Sequence, residues 1–338
     1  MRSDMNLMMD CFARSAQRLK VVITVAVCLV CAVATVQAQM AFPNKPITVI
    51  NPYPPGGFTD NLTRVIVAEA GKILKQAMVV ENKTGSAGKI GLNAILGAPP
   101  DGYTIGISVP GALGVFPLLD PKYATLDSRY APLTIAVKTY YGIAINPSVV
   151  PARNMKDFIR WAKENEGKVS YGSIGLGSSF HLWSEVFSTS AGISPVHVPY
   201  RGEANVINDM LGGQLQFMVA SAAVKQHVQV GKLIFLATTG PERWDAFPEV
   251  PTFKELGMPE METSAWFAFI APTGVPATVL AQLEAALVQA IRTPSVTLAI
   301  QTQGYMVAGG GSDDLAATVA RERKQIAAVI KARNLKFD

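Results

Sequence analysis

The sequence predicts an α/β fold made of two doubly wound lobes that are joined by a hinge. Its 338 residues are about twice the length of a typical domain. Patterns typical of strands and helices alternate along the chain, as they do in parallel sheets covered by helices on both faces. Two glycine-rich loops, at 51–60 and 171–179, each follow a predicted strand and precede a predicted helix. Ligands bind at the carboxyl ends of strands in such folds, so these loops are the first candidates for a site.

Composition excludes several classes of protein. Hydrophobic residues make up 49% of the chain and charged residues 16%, which is not the balance of a disordered, collagen-like or coiled-coil protein. The net charge is +5, and the chain from residue 39 onward carries 26 basic and 23 acidic residues that are interspersed. This distribution disfavours a nucleic acid or an anionic membrane as partner, whereas a small anion is compatible with it.

The first 38 residues resemble a secretory signal. A basic segment ends at Lys20, an apolar run covers 21–36, and the small residue Ala38 suits a signal peptidase. The apolar run is shorter than the ~20 residues of a membrane-spanning helix, which disfavours an uncleaved anchor. All three cysteines fall in this segment: Cys11, Cys28 and Cys31. We therefore expect cleavage near Ala38 and a cysteine-free protein in the periplasm of a bacterium.

The first lobe is predicted to open with a βαβαβ unit. Ile47–Asn51 is a short apolar run, typical of a buried strand, and it ends at Pro52. A helical pattern follows over about 60–75, and the remaining strands and helix are expected at 77–81, 86–96 and 103–108. The C-terminal third completes this lobe with a strand at 265–270 and amphipathic helices at 277–291 and 314–332.

The second lobe is predicted to begin after the hydrophobic stretch 133–145. Its helices are expected at 155–164, after Ser178, at 204–211 and at 222–230, and its strands at 168–171, 196–198, 214–219 and 232–238. We therefore assign 1–38 to the signal segment, 41–138 and 241–338 to the first lobe, and 139–240 to the second. Short crossovers near residues 138 and 240 are expected to form the hinge, with the ligand cleft between the lobes.

The loop at 51–60 reads Asn-Pro-Tyr-Pro-Pro-Gly-Gly-Phe-Thr-Asp. Two glycines free its backbone, and Thr59 or Asp60 is placed to cap the next helix. The unpaired amides of a helix N-terminus, with a dipole worth roughly +0.5 charge, bind a carboxylate or phosphate. A plain capped turn is the alternative, and Asp60 is expected to fix the loop rather than to act as a catalytic acid. The candidate ligand-binding residues of this loop are Tyr53, Pro55, Gly56, Gly57, Phe58, Thr59 and Asp60.

The loop at 171–179 repeats this arrangement. It follows a strand, contains three glycines and opens a helix, and the hydroxyls of Ser178 and Ser179 add hydrogen-bond donors. If the two loops belong to different lobes, two helix N-termini face one cleft, which suits a ligand with an anionic group at either end. A structural turn is again the alternative. The candidates in and beside this loop are Ser173, Gly177, Ser178, Ser179, Phe180 and His181.

Other kinds of chemistry find little support in the sequence. Residues 172–177 resemble a dinucleotide fingerprint, but the next strand ends without the acid that would bind a ribose. Residues 85–90 mimic a P-loop, with Ile90 where a metal-binding hydroxyl belongs. The three histidines have no metal-ligand spacing and no Gly-x-Ser-x-Gly motif is present, so no metal, cofactor or catalytic residue is expected. An exported hydrolase built on His181 or His197 is the alternative from another class.

Taken in order, the motifs of this chain resemble those of the periplasmic receptors of tripartite tricarboxylate transporters, the Bug or TctC-like family. The resemblance runs from about Pro46 to the C-terminus. It is carried by KPIT at 45–48, PGGFTD at 55–60, VENKTGSAG at 80–88, DGYT at 101–104, YGS at 171–173, SSFHL at 178–182, HVPYRG at 197–202, GKL at 231–233, PEVPT at 248–252 and AP at 271–272.

The resemblance implies a periplasmic-binding-protein type II fold, of the Venus-flytrap kind, that closes over a carboxylated solute. It also implies that backbone amides, hydroxyls and water hold the carboxylates, at 55–60 in the first loop and at Gly177, Ser178 and Ser179 in the second. Both loops are those that the residues themselves indicate.

Some positions depart from the pattern that the resemblance implies. Pro55 stands where relatives usually have Ala before the paired glycines, and Phe180 stands where Pro often precedes the helix histidine. Strand 214–219 is followed by Ala220 and Ser221, where an amino-acid receptor is expected to offer an acid for the ammonium group. An amino-acid ligand is therefore disfavoured. The rings of Phe58 and Phe180 favour a flat aromatic dicarboxylate over a flexible one such as citrate.

The sequence thus predicts a non-enzymatic periplasmic receptor for a small organic carboxylate or dicarboxylate. It is expected to close by hinge bending, to act as a monomer and to hand its ligand to membrane permease subunits. A ligand sensor that feeds a membrane signalling protein is the alternative within the binding class. Four residues at strand ends complete the candidate ligand contacts: Ser108, Tyr200, Ala220 and Ser221. Tyr200 is equally compatible with covering the core of its lobe.

Overall fold

The computed structural model of the protein describes residues 42–333. The chain from Lys45 onward forms one compact unit, and of the preceding unit, Met1–Asn44, only residues 42–44 are described. The predicted signal segment and its cleavage point near Ala38 lie outside the described residues. None of the helices between residues 42 and 333 is long and apolar enough to cross a membrane.

The described residues contain eleven strands in two sheets. The strands are β1 (Ile47–Asn51), β2 (Met78–Asn82), β3 (Thr104–Ser108), β4 (Tyr130–Thr139), β5 (Gly142–Ile145), β6 (Ser170–Ser173), β7 (Val196–Pro199), β8 (Phe217–Ala220), β9 (Ile234–Thr238), β10 (Ala265–Pro272) and β11 (Met306–Gly310). A six-stranded sheet in the order β11-β4-β10-β3-β1-β2 forms the first lobe. A five-stranded sheet in the order β7-β6-β8-β5-β9 forms the second lobe.

Helices cover these sheets, as the alternating pattern predicts. The α-helices of the described chain are α1 (Phe58–Leu74), α2 (Lys89–Leu96), α3 (Phe116–Leu119), α4 (Met155–Glu164), α5 (Ser179–Ala191), α6 (Glu203–Leu211), α7 (Lys225–Gln229), α8 (Ala277–Arg292), α9 (Pro294–Thr302) and α10 (Ser312–Arg333). Helix α1 follows β1 through the first glycine-rich loop, and α5 follows β6 through the second. Both candidate loops therefore sit between a strand and the N-terminus of a helix.

Each sheet combines parallel and antiparallel strands. Strands β2, β1 and β3 are parallel, as are β7, β6 and β8, and both sets include the strands that precede the candidate loops. The prediction of parallel sheets is confirmed for these strands. Strands β4, β10 and β11 pair antiparallel in the first sheet, and β5 pairs antiparallel with both of its neighbours in the second.

Two parts of the fold differ from the predicted elements. The hydrophobic stretch 133–145 is divided between β4 and β5, which belong to different sheets and are separated by Tyr140 and Tyr141 alone. Helix α9 and the edge strand β11 were not predicted. Strand β11 ends in two glycines, which weaken a strand pattern, so its place in the sheet depends on pairing with β4, which no local pattern reveals.

Residues beyond 241 still contact the second lobe. Thr252 forms an isolated parallel bridge with Thr238 of β9, and Phe253 and Met261 are fully buried in the core of the second lobe. The last helix, α10, also contacts that core through Ile326. We therefore propose crossovers at 140–141 and just before Ala265, in place of the boundary at 240, with α10 spanning both lobes.

A buried acid links α10 to β10. Glu322 is 6% exposed, and its Oε2 accepts a hydrogen bond of 2.6 Å from Trp266 Nε1. Its Oε1 has no hydrogen-bond partner among the described residues. Burial raises the pKa of Glu322 to about 8, although the Trp266 hydrogen bond lowers it. The carboxyl group is therefore mostly protonated at neutral pH.

We expect Glu322→Gln to stabilise the protein at alkaline pH and to have little effect in acid. Because the folded pKa is raised, the contribution of Glu322 is complete below its unfolded pKa and is lost as the pH rises through about 8. Glutamine keeps an oxygen for the indole and does not ionise, so the gain at pH 9 is about 1–3 kcal/mol. Thermal unfolding of both proteins between pH 5 and 9 measures it. A difference that is constant over this range contradicts the ionisation.

Candidate functional site

A cavity of about 260 Å³ lies between the two lobes. Its walls come from the loop before α1 and from β10 in the first lobe, and from the loop before α5 and the start of α6 in the second. No Lys, Arg or His is among the lining residues that the structure describes, and Glu203 is the single acid. A ligand anion in this cavity thus meets no positive side chain, and its charge has to be stabilised by backbone and hydroxyl groups.

The structure brings ten of the predicted site residues to this cavity. They are Tyr53, Pro55, Gly56, Gly57, Phe58, Thr59, Ser178, Ser179, Phe180 and Ser221. Seven others are not among its lining residues. They are Asp60, Ser108, Ser173, Gly177, His181, Tyr200 and Ala220. Contact with a ligand stays a prediction for the first group, while the second group has other partners or is buried elsewhere.

Asp60 holds the first loop from behind. It is 2% exposed, and its Oδ2 accepts hydrogen bonds from Gly56 N and Arg64 Nε, each at 2.9 Å. Its Oδ1 accepts from Asn82 Nδ2 at 2.8 Å, and Asn51 Nδ2 lies 3.4 Å away. Burial opposes the charge, but these hydrogen bonds prevail and lower the pKa of Asp60 to about 2. Asp60 is thus a loop-fixing carboxylate, as expected, and does not face the ligand space.

The loop presents the open N-terminus of α1 to the cavity. Gly57 is the N-cap, in extended conformation, and no side chain caps the helix. Its carbonyl accepts the hydrogen bond of Asn61 N. The N–H groups of Phe58 and Thr59 have no acceptor among the described residues, as is usual for the first turn of a helix. Both residues line the cavity, so these donors are available to an anion.

The second loop is arranged differently from the prediction. Ser178 caps α5, since its Oγ accepts from His181 N at 3.2 Å. The N–H of Gly177 donates to His181 Nδ1 at 3.2 Å, which removes it from the expected carboxylate donors. The N–H groups of Ser179 and Phe180 have no acceptor among the described residues. The amide donors that this loop offers are therefore those of the first two residues of α5, two and three residues after Gly177.

His181, which is buried, and His197, which is partly buried, form a stacked pair behind the second loop. The rings of His181 and His197 stack with centroids 4.1 Å apart, and Ser173 Oγ lies 2.7 Å from His197 Nε2. Burial lowers the pKa of both imidazoles to about 4, and for His181 the neighbouring His197 adds to this. Ser173 is fully buried and does not line the cavity. The pair thus braces the loop in its neutral form and offers no serine nucleophile to the ligand space.

The remaining candidates outside the cavity are also accounted for. The hydroxyl of Tyr200 donates to Asp209 Oδ2 at 2.6 Å, which ties the end of β7 to α6. Ala220 is fully buried at the end of β8. Ser108 is 1% exposed at the end of β3, and Val109, which follows it, lines the cavity in its place. Successive side chains at a strand end point alternately into the cleft and away from it. An error of one residue in the predicted end of a strand therefore selects a side chain that points away from the cleft.

Aromatic rings form part of the cavity wall. Phe58 stacks on Tyr305 with centroids 3.5 Å apart and meets Phe267 edge to face at 4.9 Å. Phe180 packs edge to face on Tyr141 at 5.3 Å. One face of Phe58 is therefore already covered by a ring of the protein. Burial raises the pKa of the Tyr141 phenol and keeps the phenol neutral, although the neighbouring Ser179 side chain lowers this pKa.

Sequence reasoning missed several residues of the cavity. Tyr141 lies in the crossover between the lobes, Phe267 on β10, and Glu203 at the start of α6. Glu203 follows Gly202 at the junction of a strand and a helix, the same arrangement that identified the other two loops. That repeated pattern was the signal that could have found it.

The two lobes touch on the rim of the cavity. A Cβ added to Gly202 would lie 3.0 Å from Pro54 Cδ, and one added to Gly175 would lie 3.1 Å from Ala87 Cβ. Tyr305 of the first lobe also hydrogen-bonds Ser221 of the second, with 3.0 Å between their hydroxyl oxygens. The described residues contain no group of three side chains that could hold a metal ion.

The chain matches a family model described as tripartite tricarboxylate transporter family receptor over residues 62–335. It is 33% identical over 302 residues to a UPF0065 protein in the tcbD–tcbE intergenic region of Pseudomonas sp. strain P51. The alignment covers 88% of this chain and 89% of that protein.

Solved structures share the two-lobed architecture. MatC from Rhodopseudomonas palustris with bound malate has a TM-score of 0.81 and 25% identity, covering 86% of this chain and 100% of that one. Rpa4515 of the same organism with adipate has a TM-score of 0.80 and 28% identity, covering 87% and 98%. The fold is that of periplasmic binding proteins. The match over most of its length shows that this chain belongs to the tripartite tricarboxylate transporter receptors, a family of solute-binding proteins and not of enzymes.

Proposed function

We propose that this receptor captures a small organic carboxylate between its lobes and hands it to a tripartite tricarboxylate-type permease. One observation carries the proposal: two helix N-termini, one in each lobe, present unpaired N–H groups to the same cavity. These are the amides of Phe58 and Thr59 in the first lobe and of Ser179 and Phe180 in the second. Each terminus adds the positive end of a helix dipole, roughly +0.5 charge.

Amides suit this task better than a lysine or arginine would in a closed cavity. A buried cation has to lose its hydration in the empty receptor, whereas unpaired amides of a helix start are fixed in place by the helix itself. The hydroxyls of Ser178 and Ser179 add polar groups on the second wall. Because the two sets of donors belong to different lobes, a ligand that contacts both stabilises the closed form over the open one.

The body of the ligand meets a largely apolar wall. Phe58 and Phe180 line the cavity, together with Trp266 and Phe267. Flat aromatic dicarboxylates are the finer proposal, because ring edges and faces at this wall pack well against a planar ligand. The Rhodopseudomonas relatives bound to malate and adipate support the broader class of small dicarboxylates.

We place the mature receptor in the periplasm, as a monomer released by cleavage near Ala38, with the permease subunits as its partner. The family match supports this placement, since its members serve a transporter. A hydrolase is not supported, because the serine next to a histidine ring, Ser173, is buried outside the cavity.

A thermal-shift screen of the mature protein tests the proposal. Mono- and dicarboxylates, both aliphatic and aromatic, are compared with neutral sugars and simple amines. A carboxylate at 100 times its dissociation constant is expected to stabilise the protein by about 2.7 kcal/mol, and sugars and amines without a carboxylate are expected to have no effect. Stabilisation by sugars but by no carboxylate would falsify the proposal. Loss of carboxylate uptake in cells that lack the gene then separates transport from sensing.

A further inference from the structure

Glu203 lines the cavity although it is not among the ligand contacts predicted from the sequence. It is the first residue of α6 and follows Gly202, which touches Pro54 across the rim of the cavity. It lines the cavity and is the single acid among the lining residues that the structure describes. An acid in a site for an anionic ligand is electrostatically unfavourable unless the ligand also brings a group that it can bind.

Ser221 fixes the orientation of this carboxyl group. The N–H of Ser221 donates to Glu203 Oε1 and the hydroxyl of Ser221 donates to Glu203 Oε2, each at 2.8 Å. The Ser221 oxygen in turn accepts from Ala223 N at 3.2 Å and lies 3.0 Å from the Tyr305 hydroxyl. Ser221 has one hydroxyl hydrogen, so the arrangement that uses every donor sends it to Glu203 and lets Tyr305 donate to Ser221. Glu203 is thus held as a double acceptor, with lone pairs left for a ligand.

Nothing in the described chain neutralises this acceptor. No Lys, Arg or His forms a hydrogen bond or an ion pair with Glu203 in the described residues. The titratable groups that face it are the phenols of Tyr305 and Tyr141, which burial keeps neutral. Burial raises the pKa of Glu203 to about 7, and the two Ser221 hydrogen bonds lower it only in part. In the empty receptor the charge is therefore poorly compensated near neutral pH.

A purely structural role would be to hold the start of α6 against β8. An acid in the first turn of a helix favours the dipole, and the hydrogen bonds to Ser221 would suffice for this. Glutamine and serine could hold the same contact without placing a charge in the cavity. A ligand group that donates a hydrogen bond explains why residue 203 is an acid, whereas the contact with Ser221 requires no charge.

We propose that Glu203 is a specificity-determining residue that binds a protonated amine of the ligand, so that the preferred ligand is a carboxylate that also carries an amino group. The inference rests on the proposed function, because the helix amides hold the carboxylate of the same molecule. It replaces two expectations: that an amino-acid ligand is disfavoured, drawn from Ala220 and Ser221, and that a dicarboxylate without an amine is the preferred ligand. The acid missing at the end of β8 is supplied by the neighbouring helix and is held there by Ser221 itself.

Isothermal titration with two matched sets of ligands tests this assignment. The four-carbon set is butyrate, 2-aminobutyrate, 4-aminobutyrate and succinate, and the six-carbon set is hexanoate, 2-aminohexanoate, 6-aminohexanoate and adipate. Each is titrated into the wild-type receptor, Glu203→Gln and Glu249→Gln at pH 6, 7 and 8. Glu249 is an exposed acid outside the cavity and serves as the control. The 2-amino and terminal amino ligands report where the amine sits relative to the carboxylate.

We expect one aminocarboxylate to bind the wild type and the control at least about 30-fold more tightly than its matched mono- and dicarboxylate, as for a buried charge pair. Its affinity should rise from pH 6 to 8 as Glu203 loses its proton. Both the preference and the pH slope should disappear in Glu203→Gln, which a merely structural role would not cause. Carboxylates that bind without this preference, or a preference that survives in Glu203→Gln, overturn the inference and leave the proposed function standing. Absence of binding by every carboxylate, in these sets and in the thermal-shift screen, contradicts both.

Discussion

The substitution Ser179→Pro is expected to weaken carboxylate binding by roughly 10- to 100-fold while the protein stays folded. Ser179 is the first residue of α5, a position where helices accept proline because its N–H has no partner within the helix. The preceding Ser178 has φ −70° and ψ 161°, the extended conformation that a following proline requires. The substitution thus removes one of the four proposed amide donors, worth about 1.5–3 kcal/mol for a charged acceptor, with little strain in the helix.

The matched control is Ser179→Ala, which keeps the N–H and removes the hydroxyl. That hydroxyl is buried beside Tyr141 and makes no well-formed hydrogen bond with the described residues, so alanine should change the affinity by only a few-fold. Titration calorimetry with the best carboxylate of the screen measures both variants, and the melting temperature without ligand shows whether each one is folded. If the proline and alanine variants bind equally well, the Ser179 amide is not a ligand donor.

Asp60→Ala is expected to damage both stability and binding. Removing the carboxylate takes away the acceptor of Gly56 N and of Arg64 Nε, and leaves Asn82 Nδ2 with Tyr53 O as its remaining acceptor. Arg64 is about half exposed and recovers water, so we expect a loss of about 2–4 kcal/mol rather than the full cost of a broken buried pair. For a protein of this size that lowers the melting temperature by roughly 4–12 °C. The loop amides at Phe58 and Thr59 lose their support, so carboxylate affinity falls as well.

The stability that Asp60 contributes to the folded protein depends on pH. Because the pKa of folded Asp60 is lowered to about 2, its contribution is complete above its unfolded pKa of about 4 and is lost as the pH falls through about 2. The stability difference between wild type and Asp60→Ala should therefore be constant from pH 7 to 5 and shrink in stronger acid. Asp127→Ala is the control, since Asp127 pairs with Arg323 but is 62% exposed. Equal losses in the two variants would show that the loop does not depend on Asp60.

The sequence allowed the position of both loops to be predicted because their signals are local. Paired glycines between a buried strand and an amphipathic helix define the turn before α1, and Ser178 marks the start of α5. In each sheet such a turn lies at the carboxyl end of a parallel strand, the edge at which ligands bind. The two walls of the cavity could thus be located from pattern alone.

The contacts within those walls could not be predicted, because distant segments decide them. The N–H of Gly177 is taken by a histidine ring whose orientation depends on stacking with His197, from another strand. Glu203 became part of the site through Ser221, and Tyr305 reaches the same serine from the far end of the chain. The position of β11, and the late return to the first lobe near Ala265, also depend on long-range pairing.

Ser221 ties two properties of the receptor to one side chain. Its oxygen joins Tyr305 of the opposite lobe, and its hydroxyl and amide hold Glu203. If Glu203 binds the ligand amine, we expect a change at this serine to alter both the balance between open and closed forms and the ligand preference. Efforts to redirect such a receptor to a new solute would do better to vary Phe180, whose ring packs on Tyr141, than Phe58, which stacks on Tyr305.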